Sequence, residues 1–456
     1  MAAPRNDIWR RLRDAADVLR GSRTVADPAP TRNPSEGRRT RPEPEERRIR
    51  QEPPLTPEER QARQEARERK ESRDRQVRGK VREKIRESRE LASGPLDLPF
   101  CLLVLLLTAV GLVMLLSASF PYAYYNYQDP TYFFRLQGLF ALAGICFMLM
   151  ASRINYQRLR GIAKLFLIVS IVLLVLVLIP GIGKISHNAR RWIGVGNLFR
   201  FQPSEITKLA VIIWFSSDIS RKRDKMRTFR DGIFPYLRVM AIIAVLMMLE
   251  PHLSGTILIL GTGAVLMLVG GINLRWVVAA IGGAGGVALL MIKGIIPYGQ
   301  SRIAMWRNPF IDPQNQGYQL VQSLISIGSG GLFGVGLGKS RQKFLYLPEE
   351  HNDFIFAVVC EELGLIGATL IMLLFAAMIL RGYWIALHAR DRFGSLLVTG
   401  VITQMAMQTF FNIGVVTGFL PTTGISLPFF SYGGTAILIQ LAEMGIVLSV
   451  SRQMKL

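Results

Sequence analysis

The sequence predicts an all-α membrane protein in which ten helices cross the bilayer. From Leu98 onward, apolar runs of about 20 residues alternate with short polar loops, a pattern typical of polytopic membrane proteins. Half of the 456 residues are hydrophobic, yet the chain carries a formal charge of +22. Both properties fit one chain only if the charges are segregated, and residues 1–95 contain almost no long apolar run.

Residues 1–95 are predicted to form a charged cytoplasmic tail, with 26 Lys and Arg residues against 18 Asp and Glu residues. A short helix is expected at 6–20, where apolar residues share one face. An interfacial or partner-binding helix and a marginal helix in a disordered segment are the two alternatives there. The Pro-, Arg- and Glu-rich segment 22–55 is typical of disorder.

A second helix of the tail is predicted over 57–92. Thr56, Pro57 and Glu59 form a capping box with proline at the first helical position. The helix is polar on every side, and its acidic and basic residues are interleaved. We therefore expect a solvated helix rather than a nucleic-acid-binding segment.

Residues 96–456 are predicted to form the membrane domain. No signal peptide is expected, because the first apolar run starts only near Leu98 and reads as an uncleaved membrane segment. Cys101, Cys146 and Cys360 all lie in apolar segments without metal-ligand spacing, so neither a disulfide nor a metal site is predicted. The ten predicted spans are 98–119, 133–152, 163–180, 203–219, 234–250, 254–271, 274–296, 353–380, 394–419 and 425–450.

Basic residues in the short loops predict the orientation of these spans. Arginines and lysines are concentrated in the loops 152–161, 221–231 and 381–392. Since such loops mark the cytoplasmic side, both termini are expected on that side as well. The large loop 298–352, between spans seven and eight, is then extracytoplasmic.

The predicted outer loops are also basic, which the orientation rule does not explain. Residues 181–202 contain four Lys or Arg residues and no acid, and Arg190, Arg191 and Trp192 lie there side by side. One interpretation is that basic residues are tolerated in the outer loops, because the inner loops already fix the orientation. The arginines would then bind lipid headgroups. The interpretation we favour is attraction of a phosphorylated substrate.

Asp353 is the principal candidate for chemistry, in a tract where Glu349, Glu350 and His351 precede the eighth span. Ionisable groups at the membrane boundary are costly and usually functional. Asp353 could cap the helix that follows, act as a general base, or do both. His351 is expected to form hydrogen bonds in the loop rather than to bind a metal.

Glu205 and Lys208 in the fourth span are three residues apart and therefore share one helical face. A structural ion pair that faces the bundle interior is one interpretation. The other is that the pair lines a substrate cavity.

Taken together, the motifs of this chain resemble those of the SEDS family, which comprises FtsW, RodA and SpoVE. The resemblance covers about residues 98–451, and its motifs occur in family order. They are Ala189–Trp192, Phe201–Lys208, Glu250–Thr256, Gly317–Gln319, Leu347–Ala357, Glu361–Gly364 and Pro421–Gly434. The ten spans, the inside termini and the large loop between spans seven and eight also match the family.

The resemblance implies a peptidoglycan glycosyltransferase that polymerises lipid II on the outer face of the bacterial cytoplasmic membrane, during division or growth. It implies that Asp353 is the catalytic acid–base group. Expected substrate-binding residues are Arg190, Arg191, Trp192, Glu205, Lys208 and His351. The implied partner is a class B penicillin-binding protein, with other divisome or elongasome proteins in addition. No cofactor and no nucleic acid are implied, and a divalent cation stays open.

Two features depart from the family pattern. Many members have Gln-Pro-Asp or Gln-Pro-His where this chain has Glu250-Pro251-His252, and the charged tail is longer than is common. Thr422 and Thr423, after the Leu-Pro of the last loop, favour the FtsW and SpoVE type over RodA.

Two other functions compete with the polymerase. A lipid II flippase needs a polar path that opens inward, whereas the predicted chemistry is concentrated on the outside. A non-catalytic scaffold would recruit its transpeptidase partner and use the tail as a docking arm.

Overall fold

The computed structural model describes Pro57 and residues 94–186, 189–195, 199–273, 275–276, 278–279, 282 and 300–454. Pro57 is helical and exposed. The other predictions for the tail, namely the helix at 6–20, the disorder at 22–55 and the remainder of the helix at 57–92, lie outside the described residues. So does most of the predicted seventh span, 274–296.

The described residues form eleven α-helices and one small sheet, in the order α1 to α3, β1 to β3, and α4 to α11. The helices are α1 Leu98–Tyr127, α2 Tyr132–Ser152, α3 Gln157–Leu178, α4 Pro203–Lys222, α5 Phe234–Leu249, α6 Leu253–Val269, α7 Gln300–Arg307, α8 Tyr318–Gly330, α9 Ile355–Leu387, α10 Arg392–Val416 and α11 Gly434–Ser451. The strands are β1 Gly183–Ser186, β2 Ala189–Val195 and β3 Phe199–Phe201.

Seven of the described helices are long and apolar enough to cross a membrane. They are α1, α2, α3, α5 together with the π-helical turn before it, α9, α10 and α11. The predicted spans 203–219 and 254–271 correspond to α4 and α6. Helix α4 carries many serines in addition to Glu205 and Lys208, and α6 has 17 residues. The mostly helical architecture confirms an all-α polytopic membrane protein, and the count of ten spans stays a prediction.

The last predicted span began too early. Residues 417–433 are irregular, and α11 starts only at Gly434. This segment is nevertheless well packed, since Leu427, Phe429 and Phe430 are buried. Irregular backbone inside a membrane protein is tolerated where it is buried in protein or lines a cavity.

Helix α10 lies at the centre of the bundle, where it packs against α4, α6, α9 and α11. Contacts between helix ends mark two opposite faces of the bundle. At one face, Arg381 pairs with Asp97, which caps α1, at 2.9 Å. At the opposite face, Gly433 of the irregular segment donates to Gln137 at 3.1 Å. We call this second face the site face, and it also contains the sheet and residues 250–252 and 351–353.

The sheet is antiparallel in the order β1-β2-β3. Trp192 on β2 pairs with Lys184 on β1, and Ile193 pairs with Phe201 on β3. These strands were not predicted, and they place Arg190, Arg191 and Trp192 on the central strand at the site face.

After α8 the chain turns and runs along α9. The amides of Val335 and Gly336 donate to the carbonyls of Glu361 and Glu362 at 2.9 and 3.1 Å. Gly364 makes this approach feasible: its φ of 66° interrupts α9, and a Cβ atom there would lie 2.3 Å from the Gly334 nitrogen. The loop before Asp353 is therefore tied to α9 two turns beyond the helix start.

Candidate active site

Asp353 lies two residues before α9 begins, in a turn that is held from several directions. The side-chain amide of Asn412 on α10 donates to the Asp353 carbonyl at 2.7 Å and to the Ile425 carbonyl at 2.6 Å. Ser431 donates to the neighbouring carbonyl of Asn352 at 2.7 Å. The N-cap of α9 is Phe354, so Asp353 does not occupy the capping position considered from the sequence.

The carboxylate of Asp353 faces the irregular segment after α10. A Cβ atom built on Gly424 would lie 3.1 Å from Asp353 Oδ2. Gly424 also has a φ of 67°, a conformation in which glycine is favoured. Its lack of a side chain leaves space at this carboxylate, and Asp353 itself is only partly buried.

His351 lies on the other side of Asp353, inside a cluster of aromatic rings. Its ring centroid is 4.8 Å from those of Tyr122 and Phe133. Its carbonyl accepts from the amide of Tyr432 at 2.9 Å, and Nδ1 is 3.7 Å from Glu350 Oε1. The structure thus places His351 in the packing that holds the turn.

A buried polar cluster, which we call the loop clamp, connects the loop before Asp353 to α9. Glu361 accepts from Ser326 at 2.9 Å, from Ser340 at 2.6 Å and from the Arg341 amide at 2.8 Å. Its neighbour Glu362 accepts from Ser117 at 2.7 Å and from Lys343 Nζ at 2.8 Å. Both carboxylates are 1% exposed, and Lys343 is 2% exposed.

Glu205 and Lys208 form the ion pair expected from their spacing, with 2.8 Å between Nζ and Oε2. Lys208 is buried and also lies 3.4 Å from Oε1 of Gln408 on α10. The same Gln408 donates to the Ser426 carbonyl at 3.0 Å.

Three side-chain amides spaced by four residues follow one face of α10. We call Gln404, Gln408 and Asn412 the amide column. Asn412 holds Asp353, and Gln408, one turn or about 6 Å below, meets Lys208. The column therefore brings together Asp353 and the Glu205–Lys208 pair, two candidates that are 145 residues apart in the chain.

Arg191 on β2 contributes a cation at the same face. Its guanidinium donates to the carbonyl of Glu250 at 3.3 Å and also to that of Pro251. The next residue, His252, lies 3.4 Å from the side-chain amide of Gln202, just before α4. Arg190 and Trp192 lie on the same strand and are half-buried.

Two titratable side chains behind Arg191 are strongly perturbed. Burial raises the pKa of Glu250 to about 8, although the Arg191 charge opposes the rise. Burial also lowers the pKa of His252 to about 3, and the charges of Arg191 and Lys208 act in the same direction. At neutral pH the Glu250 carboxyl is therefore mostly protonated and the His252 ring is neutral.

Several residues of this region were missed by the sequence interpretation. Lys343 and the amide column were not candidates, although three amides at intervals of four in an apolar span are a detectable signal. As for metals, no group of three or more His, Cys, Asp or Glu side chains in the described chain is arranged to hold an ion.

Comparisons with known proteins identify the family of this chain. The sequence profile of the FtsW/RodA/SpoVE family, described as cell cycle protein, matches residues 98–456. Stage V sporulation protein E of Bacillus subtilis is 44% identical over 358 residues, which cover 78% of this chain and 97% of the relative. A probable peptidoglycan glycosyltransferase FtsW of Geobacter sulfurreducens is 41% identical and covers 79% and 96%.

Solved structures show the same architecture. A chain from a study of polymerization and crosslinking by a peptidoglycan synthase complex is 27% identical, with a TM-score of 0.65 and coverage of 78% of this chain and 98% of that one. The rod shape determining protein RodA of Thermus thermophilus is 26% identical, with a TM-score of 0.58 and coverage of 79% and 98%.

Since the profile spans the whole apolar part of the chain and the relatives are matched almost end to end, this integral membrane protein belongs to the FtsW/RodA/SpoVE family.

Proposed function

We propose that this protein is a peptidoglycan glycosyltransferase that polymerises lipid II, with Asp353 as the general base. Asp353 removes the proton from the 4-hydroxyl of the acceptor GlcNAc. The oxygen then attacks the anomeric carbon of the donor sugar, and the bond to undecaprenyl diphosphate breaks. A positioned carboxylate of this kind contributes about 10²- to 10⁴-fold to a rate.

The observation that carries this proposal is the placement of Asp353. Its backbone is fixed by Asn412, and its carboxylate faces the space left by Gly424. One turn further along the same helix, α10, Gln408 contacts Lys208 of α4. A base and a cation are thus supported by one rigid element, as a reaction that releases a diphosphate requires.

The roles of the other candidates follow from their positions. Arg190, Arg191 and Trp192 lie on a strand at the site face, where they would meet the diphosphate or the headgroup of lipid II. Glu205 orients Lys208. His351 is buried, so its proposed contribution to saccharide binding is to support the turn at Asp353.

The site face would then lie on the outer side of the cytoplasmic membrane, with both termini in the cytoplasm. In that orientation the basic loops 152–161, 221–231 and 381–392 are cytoplasmic. Because one solved relative comes from a synthase complex that couples polymerization to crosslinking, the proposed partner is a class B penicillin-binding protein.

Asp353→Ala and Asp353→Asn test the proposal in proteoliposomes that contain lipid II and the partner. We expect glycan synthesis to fall at least 100-fold in both variants, while complex assembly is unchanged. Glu349→Gln, which removes a carboxylate four residues earlier, is the matched control and should retain most activity. Polymerisation by Asp353→Asn at the wild-type rate would disprove the assignment of Asp353, and loss of assembly in both variants would favour a scaffold.

A further inference from the structure

Glu443 is an acidic residue in the middle of an otherwise apolar helix. It lies nine residues into α11, about 13 Å along the helix from the site face. Its side chain has no solvent exposure. An ionisable residue at such a depth is costly unless it has a partner, and it usually has a function.

The hydrogen bonds that Glu443 receives are few and long. Its two carboxyl oxygens each lie 3.4 Å from Nε2 of Gln404, at the lower end of the amide column. The other end of the same amide, Gln404 Oε1, is buried and has no hydrogen-bond donor among the described residues. Protonation would lower the number of donors that Glu443 needs, because a carboxylic acid itself carries a donor proton.

The charges around Glu443 also favour its protonated form. The charges of Lys208 and Glu205, both on α4, act on Glu443. One ammonium group thus faces two carboxyl groups. If both were ionised, one negative charge would be left without compensation inside the membrane, at a cost of several kcal/mol.

Charged groups on the other helices that pack against α11 are engaged elsewhere. Asp97 before α1 pairs with Arg381 of α9, and Arg135 of α2 pairs with Asp129. The two glutamates of α9 are held in the loop clamp. Asp391 and Arg392, at the start of α10, bond to Tyr156 and to the Gly270 carbonyl respectively.

We propose that Glu443 is an intramembrane proton-binding site that carries a proton in the resting protein. Deprotonated, Glu443 competes with Glu205 for Lys208, and the ion pair on α4 weakens. The protonation of Glu443 thus sets whether Lys208 stays paired with Glu205. The assignment of this site is independent of the reaction proposed for Asp353.

Infrared difference spectroscopy of the full chain in lipid tests this assignment at neutral pH. The wild type minus Glu443→Gln spectrum should contain the C=O stretching band of a protonated carboxyl, shifted in D₂O. Glu205→Gln frees the Lys208 ammonium to pair with Glu443, so the band should weaken in that background. Because glutamine has the shape of a protonated glutamic acid, we also expect Glu443→Gln to fold with wild-type thermal stability.

Three results would overturn the proposal. The first is the absence of a protonated-carboxyl band at neutral pH in buffers with and without sodium. The second is a band that appears only when sodium is removed, which would make Glu443 a ligand of a metal cation. The third is unfolding of Glu443→Gln while Glu443→Asp is stable, which would show that an ionised carboxylate is needed.

Discussion

Two groups of buried carboxyl groups in this protein differ in how many hydrogen-bond donors they meet. In the loop clamp, Glu361 and Glu362 each accept from three groups, and Glu362 is paired with Lys343 in addition to its serine. Glu443 meets one distant amide. The carboxyl oxygens of Glu250 meet no side-chain or backbone donor in the described part of the chain.

This difference separates carboxylates that hold the structure from carboxyl groups that can gain or lose a proton. A carboxylate with a full set of donors is stable as an ion and fixes whatever carries those donors. In the loop clamp, the segment fixed in this way is the loop that leads to Asp353. A buried carboxyl group with few donors is favoured in its protonated form, and its charge depends on conditions and on ligands.

The largest expected effect is that of Lys343→Met, because it removes the cation that pairs with the Glu362 carboxylate. Glu362 would be left buried and ionised, at a cost of about 3–5 kcal/mol. We therefore expect a large fall in thermal stability, and partial recovery in the double variant with Glu362→Gln. Thermal unfolding in lipid nanodiscs measures both.

Lys339→Met is the matched control for that variant. Lys339 lies four residues earlier in the same loop and is exposed, so its loss should have little effect on stability. If Lys343→Met and Lys339→Met changed thermal stability equally, the loop clamp would not hold the loop.

The sequence was sufficient for features that depend on local spacing. The first span starts at Leu98, as predicted, because Asp97 accepts from the Phe100 amide at 3.0 Å and caps the helix. The Glu205–Lys208 pair was predicted from a separation of three residues and is present. The apolar runs likewise predicted the other long helices.

Features that depend on distant partners could not be predicted in this way. Ser117 and Glu362 are 245 residues apart in the chain, and nothing in the sequence near Lys343 indicates that it is buried. The sheet was missed because its strands are short and rich in Arg and Gly rather than in alternating apolar residues. The start of α11 was misplaced because residues 425–433 are apolar yet irregular.

A smaller effect on stability, with a clear effect on activity, is expected for Asn412→Ala. The substitution removes the donor of two carbonyl groups, one of which belongs to Asp353. Each unpaired carbonyl costs about 1–3 kcal/mol. Because misplacement of a catalytic group by about 1 Å can cost 10²-fold, polymerisation should fall 10- to 100-fold, mainly in kcat.

Asn315→Ala is the control for this variant, since Asn315 forms a comparable hydrogen bond with Asp312 on the surface of the large loop. It should polymerise lipid II normally. An unchanged kcat in Asn412→Ala would show that Asp353 is positioned by the turn alone.

An effect with the opposite sign is expected for Glu250→Gln. Burial raises the pKa of Glu250 to about 8 in the folded protein, whereas an unfolded glutamate titrates near about 4.3. Between these values the folded state binds more protons than the unfolded state, so wild-type stability should fall as the pH rises. The loss is at most about 1.4 kcal/mol per pH unit, and it ends above about pH 8.

Glu250→Gln removes this titration and should therefore gain stability over the wild type as the pH rises from about 4.5 to 8. Melting temperatures of both proteins across that range measure the difference, and Asp231→Asn, at an exposed carboxylate, provides the baseline. Arg191 determines the outcome, because its charge favours ionised Glu250 while its guanidinium donates to the backbone carbonyls of residues 250 and 251. If the wild type and Glu250→Gln respond alike to pH, Arg191 compensates the carboxylate fully, and Glu250 belongs with the saturated carboxylates of the loop clamp.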